Sequence, residues 1–147
     1  MIIRRGTPAD VPRALEIWRA AVDATHGFLT REDRAEIDAM VAEHFLPHAE
    51  LWLAVDEAGQ PQGLLVMDGD MIDALFVDPA VHGRGIGTAL VEKALALSPG
   101  GVIVVDASEQ ADNAVAFYVA RGFERTGRSA SDPQGRPYPL IHLWRPA

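Results

Sequence analysis

An apolar run passes into a glycine-rich turn and then into a helix-like segment in the stretch LFVDPAVHGRGIGTAL, residues 75–90. Glycines alternate in this turn at Gly83, Gly85 and Gly87, so the backbone can approach a bound anion closely. The first amide groups of the following helix have no partner inside it and carry a partial positive charge. The hydroxyl of Thr88 can donate one further hydrogen bond. The turn therefore predicts a pyrophosphate site, with a plain glycine-rich connection as the alternative.

Two other phosphate-binding motifs do not fit this turn. A dinucleotide fingerprint counted from Gly85 or Gly83 needs a glycine or alanine where Leu90 or Thr88 stands. A P-loop needs a Gly-Lys-Ser/Thr run, and the one lysine of the chain, Lys93, follows a glutamate. Neither nucleotide motif is present.

The rest of the chain alternates between helical and strand-like periodicity. Apolar residues with helical spacing follow Thr7 and Thr30, which are suited to cap helices, and Pro47 is expected to end the second helix. The predicted strands are 2–5, 51–55, 63–67, 71–77, 102–105, 123–127 and 140–144, and the predicted helices begin near Pro8, Thr30, Gly85 and Asp112. This order is mixed α/β, with an antiparallel meander from 51 to 77, and we expect one domain over residues 1–147.

The composition excludes several classes of function. The chain has 147 residues, no cysteine and a formal net charge of −8, so disulfides, thiolate metal sites and cysteine nucleophiles are absent. A single lysine does not provide the clustered cations that bind nucleic acid. We expect no membrane partner and a cytoplasmic location, because no apolar run is long enough to span a bilayer.

His44 and His48 stand four apart, but Pro47 separates them, so we predict no metal site.

Two blocks of sequence resemble the GNAT superfamily of N-acetyltransferases. The family signature Gln/Arg-x-x-Gly-x-Gly/Ala is matched by the run from His82 to Gly87, with histidine at its first position. A second family block, Phe-Tyr-x-x-x-Gly-Phe, is matched by the run from Phe117 to Phe123. Further stretches look like the YjaB group of bacterial acetyltransferases, namely 22–26, 73–76, 109–110 and 137–140.

The resemblance implies a fold and a co-substrate. It implies a GNAT-like fold, with a mixed, mostly antiparallel sheet of six or seven strands flanked by about four helices, and acetyl-coenzyme A as acetyl donor without a metal. The family usually has a coenzyme-contacting asparagine where Ala111 stands; Asn113 replaces it or only caps a helix. The implied coenzyme contacts are Leu75, Phe76, Val77, His82, Gly83, Arg84, Gly85, Ile86, Gly87, Thr88 and Asn113.

The same resemblance gives Tyr118 the role of general acid toward the departing thiolate, with a packed aromatic residue as the alternative. His26 lies in a loop that walls the acceptor site in this family and is our candidate base, because histidine titrates near neutrality. An inert surface histidine is the alternative. Asp73, Glu109, His142 and a water relay are weaker candidates for the base.

The acceptor is expected to be a primary amine of a small molecule or a peptide, attacked directly in a ternary complex. His26, Phe28, Asp73 and Tyr138 are the residues expected to shape its pocket. The alternative function is an acyl-coenzyme A sensor with little turnover, which the alanine at position 111 would permit. The chain is expected to be a monomer or a homodimer.

Overall fold

A computed structural model describes residues 1–111 and 113–147. The helices are α1 (Val11–Thr25), α2 (Arg31–Met40), α3 (Ile86–Leu97) and α4 (Ala114–Val119). The strands are β1 (Ile2–Arg5), β2 (Trp52–Val55), β3 (Pro61–Asp68), β4 (Met71–Val77), β5 (Val102–Ser108), β6 (Glu124–Ser129) and β7 (Leu140–Pro146). Within the described residues, no helix has the length and apolar character that a membrane span requires.

The seven strands form one sheet in the order β1-β2-β3-β4-β5-β7-β6. β4 and β5 are parallel because α3 connects them as a crossover, and every other neighbouring pair is antiparallel. The predicted mixed α/β class, with a mostly antiparallel sheet and four helices, is confirmed.

The two faces of the sheet are buried against different helices. On one face, side chains of α3 and α4, such as Leu90 and Tyr118, pack on Leu65 of β3 and form the α3 core. On the other face, α1 and the segment after α2 pack on Leu64 and its neighbours and form the α1 core. Successive strand residues therefore enter opposite cores, as the two-residue period of a strand requires.

A β-bulge interrupts this alternation in β4. Val66 pairs with Ala74 and Met67 pairs with Ile72, so Asp73 is the extra residue between them. Ile72 consequently packs in the α3 core, whereas Ala74 packs in the α1 core. The bulge explains how a carboxylate is accommodated in an otherwise apolar strand.

Several boundaries differ from the sequence-based prediction. The second helix is α-helical only to Met40, and continues as a π turn and a 3₁₀ turn that contains Pro47. β5 and β6 extend to Ser108 and Ser129, because β7 pairs along both strands and supports polar residues that lack a strand-like pattern. The predicted start of the last helix, Asp112, lies outside the described residues.

Asp38 joins α1 to α2. Its carboxylate accepts hydrogen bonds from the Arg19 guanidinium of α1, at 2.8 Å for both oxygens, and from Arg34 of α2, also at 2.8 Å. These guanidinium groups, Arg19 above all, lower the pKa of Asp38 to about 2. Because the pKa is depressed below its ordinary value of about 4, the stabilisation is present above that value and is lost as the pH falls toward 2.

Replacing Asp38 by asparagine is expected to lower the free energy of unfolding at pH 7 by about 1 to 2 kcal/mol, because the three charge-assisted hydrogen bonds from Arg19 and Arg34 are weakened or lost. The variant should also lose less stability than the wild type between pH 5 and pH 2.5. Urea unfolding at several pH values measures both effects. Asp23→Asn is the matched control: Asp23 also bonds Arg34, but its side chain is 64% exposed, so its loss should be smaller. Equal losses in the two variants would contradict this role for Asp38.

Candidate active site

The centre of the sheet contains an open wedge between β4 and β5. In these two strands, which the structure describes completely, the paired positions are Met71 with Val104 and Ile72 with Val105. Beyond them β4 continues to Val77 along β3, while β5 continues to Ser108 along β7. The two strands therefore diverge toward their carboxyl ends, where ligands bind in many α/β folds.

The edge of β4 that faces this wedge carries unpaired backbone groups. Leu75, Phe76 and Val77 are bonded to β3 on one side only, and all three are partly buried. An extended ligand could pair with this edge as an added strand does. Ser108 lies at the wedge end of β5, and its Oγ is buried without a hydrogen-bond partner among the described residues. An unpaired buried hydroxyl fits a place where a bound molecule completes the bonding.

The predicted anion-binding turn lies at the wide end of the wedge. Gly83 and Gly85 adopt φ values of 84° and 79°, and a Cβ at either position would point into open space. The first helical hydrogen bond of α3 runs from Ala89 N–H to the Gly85 carbonyl, so the preceding amides of the turn have no intrahelical partner. His82 and Arg84 are exposed in the turn, and Ile86 is buried and anchors it. This arrangement suits a phosphate group.

Arg121, which follows α4, contacts this turn through Thr88 and was not among the predicted site residues. Its guanidinium donates to Thr88 Oγ1 at 2.9 Å and to the Phe117 carbonyl at 2.7 Å, and lies 3.7 Å from the Phe117 ring centroid. The hydroxyl of Thr88 accepts this bond and keeps its own proton for an anion. A Cβ on Gly87 would meet Phe117 at 2.9 Å, so this glycine allows α3 and α4 to approach. The arginine within the second family block was the available signal.

Tyr118 is buried in the last turn of α4. Its ring packs edge-on against Phe117 at 5.1 Å and against Phe123 at 5.2 Å between centroids. Burial raises the pKa of the phenol, and the positive charge of Arg121 opposes this shift only in part. The hydroxyl therefore stays protonated at neutral pH.

Asn113 occupies the N-cap position of α4. It is exposed, has a left-handed φ of 61°, and its side chain makes no capping hydrogen bond. The helix start is held instead by the Asn113 carbonyl, which accepts from Phe117 N–H at 2.8 Å. Of the two alternatives for Asn113, capping by its side chain is not observed, because a left-handed backbone makes the turn. Ala111 is buried.

Three of the predicted acceptor residues are brought together in an arch between the α1–α2 loop and the β6–β7 loop. His26 and Phe28 rings lie 5.2 Å apart, and Phe28 and Tyr138 lie 5.8 Å apart. The Tyr138 hydroxyl donates to Asp33 and accepts from Thr30 N–H, which ties the two loops. Burial lowers the pKa of His26, so its imidazole is neutral at pH 7.

Asp73 belongs to a different set of residues, a groove of about 260 Å³ beside the bulge of β4. The groove is also lined by His44, His48, Glu50 and Asp68. Partial burial and the neighbouring Asp68 carboxylate raise the pKa of Asp73. The described residues contain no group of three side chains suited to hold a metal ion.

The two remaining base candidates differ in their contacts. Glu109 forms a two-point ion pair with Arg128, with oxygen–nitrogen distances of 2.9 and 3.0 Å, and this guanidinium lowers its pKa. A carboxylate held in this way is a weak proton acceptor. His142 lies 2.6 Å from Asp106, and among the described residues it has no ion pair with an arginine.

Comparison with known proteins identifies the family. Residues 47–125 match the family model described as the acetyltransferase (GNAT) domain. The chain is 46% identical over 144 residues to the peptidyl-lysine N-acetyltransferase YjaB of Salmonella typhimurium, with 98% of this chain and 97% of that protein covered. The chain belongs to the GNAT acetyltransferase family. The family prediction made from the two sequence blocks is confirmed.

Further relatives agree with this family. The YjaB protein of Escherichia coli strain K12 is 45% identical over 141 residues, with 96% of this chain and 94% of that protein covered. The solution structure of its apo form superposes with a TM-score of 0.90, at 44% identity and with 98% and 97% of the two chains covered. This GNAT protein is an acetyltransferase, and acetyl-coenzyme A is the acetyl donor of the family. The open edge of β4 and the glycine turn fit this elongated, phosphate-bearing molecule.

Replacing Gly85 by alanine should weaken coenzyme A binding roughly tenfold, because a Cβ would project into the phosphate-sized turn and strain a left-handed residue. Isothermal titration calorimetry measures the Kd. Gly59→Ala is the matched control, since Gly59 has φ 80° and open space around it but lies in the β2–β3 hairpin. It should lose similar stability, about 1 to 2 kcal/mol, without a change in Kd. Equal Kd values in both variants would argue against the turn as the phosphate site.

Proposed function

We propose that this protein transfers the acetyl group of acetyl-coenzyme A to the ε-amine of a lysine in a peptide or protein, by direct attack in a ternary complex. The observation that carries the proposal is the wedge between β4 and β5. It leads from the glycine turn to Asp73 and Asp106, the residues that follow the last paired positions of the two strands. If the phosphates of acetyl-coenzyme A bind the turn and its pantetheine arm pairs with β4, its thioester end is directed toward these carboxylates.

In this proposal the backbone of β4 binds the donor and activates it. Leu75 and Val77 offer amide and carbonyl groups to the pantetheine arm on the side away from β3. The Val77 amide, which faces away from β3, is the proposed donor to the thioester carbonyl and would stabilise the oxyanion of the tetrahedral intermediate, whereas Phe76 pairs with Leu64 of β3. His82, Arg84, Asn113 and the turn amides are the proposed contacts for the remainder of the coenzyme, and Arg121 adds positive charge beside Thr88.

Tyr118 is the proposed donor to the departing sulfur. Burial raises the pKa of its phenol further above that of a thiol, about 8.5 for a model thiol. Tyr118 therefore stabilises the thiolate through a charge-assisted hydrogen bond, and transfer of the proton to sulfur is completed from solvent. The aromatic packing on Phe117 and Phe123 fixes the direction of the hydroxyl.

The acceptor side supports a cationic substrate. Asp68, Asp73 and Glu50 place three carboxylates around one open groove, and the repulsion between the two aspartates is relieved when an ammonium group binds. The relatives named above are peptidyl-lysine N-acetyltransferases, which supports a lysine of a peptide or protein as the acceptor. An open groove also suits a polypeptide better than an enclosed pocket does.

The aromatic arch is the proposed wall for the aliphatic part of the acceptor. His26, Phe28 and Tyr138 present ring faces that can pack against a lysine stem. Because burial lowers the pKa of His26, its neutral ring can also accept a hydrogen bond from the incoming amine. We also propose that the enzyme is a single domain and a monomer or homodimer. It would act in the cytoplasm, where acetyl-coenzyme A is made.

Tyr118→Phe should reduce kcat for thiol release roughly 10²-fold, since the hydrogen bond to the thiolate is lost, while the Kd of acetyl-coenzyme A changes little because the ring packing is retained. Stopped-flow or colorimetric thiol detection measures kcat, and calorimetry measures Kd. The wild-type rate should show no alkaline decline attributable to Tyr118 below about pH 10, because its pKa is raised. An unchanged kcat in the variant would remove Tyr118 from the mechanism.

Asp73→Asn should raise KM for a lysine peptide roughly tenfold while leaving KM for acetyl-coenzyme A near that of the wild type, because the groove loses one of the carboxylates proposed to bind the ammonium. Glu57→Gln is the control, since it removes an exposed carboxylate from the β2–β3 hairpin, away from the groove. Steady-state kinetics at two ionic strengths compare the variants. If both substitutions change KM for the peptide equally, the change reflects the total charge of the protein, and the proposed contact with Asp73 is refuted.

Two peptides separate the kinds of acceptor amine. One carries a lysine and a blocked N-terminus, and the other carries a free N-terminus and no lysine. Acetylation of the first peptide alone, located by mass spectrometry, is the expected result. Acetylation of the second peptide alone would show that the acceptor is an α-amine and not the ε-amine of lysine.

A further inference from the structure

One half of the sheet has no apolar core on the side of α1. Among the described residues, the α1 core includes side chains of β2, β3 and β4 but none of β5, β7 or β6. The sheet order places these three strands together, beyond the opening next to β4. Their side chains on the α1 side form what we call the open face, namely Val104, Asp106, Ser108, Glu124, Ser129, Leu140, His142 and Trp144.

Strand alternation places an apolar pair on the open face. Ile103 and Val105 of β5 and Leu143 of β7 pack in the α3 core, so the residues next to them point to the other side of the sheet. Val104 and Trp144 are register partners on that side, and both are half-buried. Neither side chain packs against the α3 core or the α1 core. Apolar side chains outside both cores fit a surface that a binding partner covers.

The charges of these strands are divided between the two faces. Three arginines of β6 and β7 have register partners in the α3 core and therefore lie on the side of α3, namely Arg125, Arg128 and Arg145. The open face has the carboxylates of Asp106 and Glu124 instead. Within the described parts of β5, β6 and β7, no lysine or arginine faces the same side as these carboxylates. The open face is therefore complementary to a cationic partner.

Asp106 connects the open face to the opening between β4 and β5. It directly follows Val105, which pairs with Ile72, so Asp106 is at the border of the opening, across from Asp73. Its side chain is 30% exposed. His142 Nδ1 donates to Asp106 Oδ1 at 2.6 Å, and among the described residues Oδ2 has no hydrogen bond. An ammonium group that binds Oδ2 is thus placed beside the opening, toward which the thioester is directed in the proposal above.

The open face is continuous with the groove beside Asp73. One row of register partners crosses five strands and joins them, namely Asp68, Met71, Val104, Trp144 and Glu124. Asp68 lines the groove, and Trp144 lies on β7, two strands beyond β4. Since neighbouring strands are about 4.8 Å apart, β7 is about 7 Å from the middle of the opening, which is the length of two extended residues.

We infer that the open face binds the acceptor polypeptide, with Asp106 at the lysine ammonium group and with Val104 and Trp144 against an apolar side chain two residues from that lysine. The inference rests on the acetyl transfer proposed above and adds a sequence preference to it. A tryptophan presents a large, rigid contact area and is typical of the residues that dominate the affinity of an interface. The carboxylates on both sides of the opening select the cation, and the apolar pair selects its neighbour.

Steady-state kinetics with two N-blocked peptides test this preference. Both peptides contain one lysine, and they have either leucine or serine at the positions two residues before and after it. With the wild type, the leucine peptide should have a KM roughly tenfold lower than the serine peptide. Trp144→Thr should raise KM for the leucine peptide roughly tenfold and change KM for the serine peptide little, because only the apolar contact is lost. Trp144→Phe should keep most of the preference.

Two further variants locate the effect. Asp106→Asn should raise KM roughly tenfold for both peptides, because both contain the ammonium group. Trp52→Thr is the matched control for Trp144→Thr: Trp52 is also a half-buried tryptophan in a strand, but it packs against the α3 core on the other side of the sheet. It should leave both peptide KM values unchanged. An unchanged KM for acetyl-coenzyme A in every variant shows that the donor site is intact.

Peptide binding without turnover separates this inference from the proposed function. Calorimetry in the presence of coenzyme A measures the Kd of each peptide. A leucine peptide that binds, loses affinity in Trp144→Thr and is never acetylated would refute the lysine transfer and support the docking surface. Acetylation of both peptides with equal KM and Kd in the wild type would support the transfer and overturn the docking surface.

Two other outcomes would also overturn the inference. The first is an equal rise of KM for the leucine peptide in Trp144→Thr and Trp52→Thr, which indicates a general loss of packing. The second is a wild-type dimer in sedimentation equilibrium that dissociates in Trp144→Thr, which indicates that a second copy of the chain covers the open face.

Discussion

β4 and β5 are paired through Met71–Val104 and Ile72–Val105 and then separate, although they remain neighbours in the sheet. Neither strand is free to close the gap, because β3 holds β4 and β7 holds β5 along their remaining lengths. Backbone groups in the middle of a sheet must find a hydrogen-bond partner, and here only water or an elongated ligand can provide one. The opening of the sheet is therefore the proposed binding site for acetyl-coenzyme A, and it follows from the topology.

The β-bulge at Asp73 in β4 also shapes this opening. One extra residue in β4 changes which core each following side chain enters, so Ile72 and Ala74 pack on opposite faces. The apolar pattern of β4 is satisfied on both faces, and the residue left over is a carboxylate at the narrow end of the wedge. Asp106 occupies the corresponding position on β5. The end of the opening where the proposed chemistry takes place is consequently polar, although both cores beside it are apolar.

Charge is distributed unequally along this opening. The wide end has the positive amino terminus of α3 with Arg121 beside Thr88, which suits phosphates. The narrow end has Asp73 and Asp106, and the groove next to it adds Asp68 and further carboxylates. This distribution would attract an anionic donor and the proposed cationic acceptor to opposite ends of one site. The formal net charge of −8 supports the second attraction over a longer range.

The sequence by itself determined the order of elements, the glycine turn and the block around Tyr118, because these depend on local properties: the period of apolar residues and the φ values open to glycine. Only the tertiary structure decided which distant residues meet. Arg121 contacts Thr88 across 33 positions, and His142 contacts Asp106 across 36. The bulge at Asp73 and the extension of β5 and β6 depend on strand register, which is a property of pairs of strands. No single segment carries that information, because a register is selected by the packing of both faces of the sheet at once.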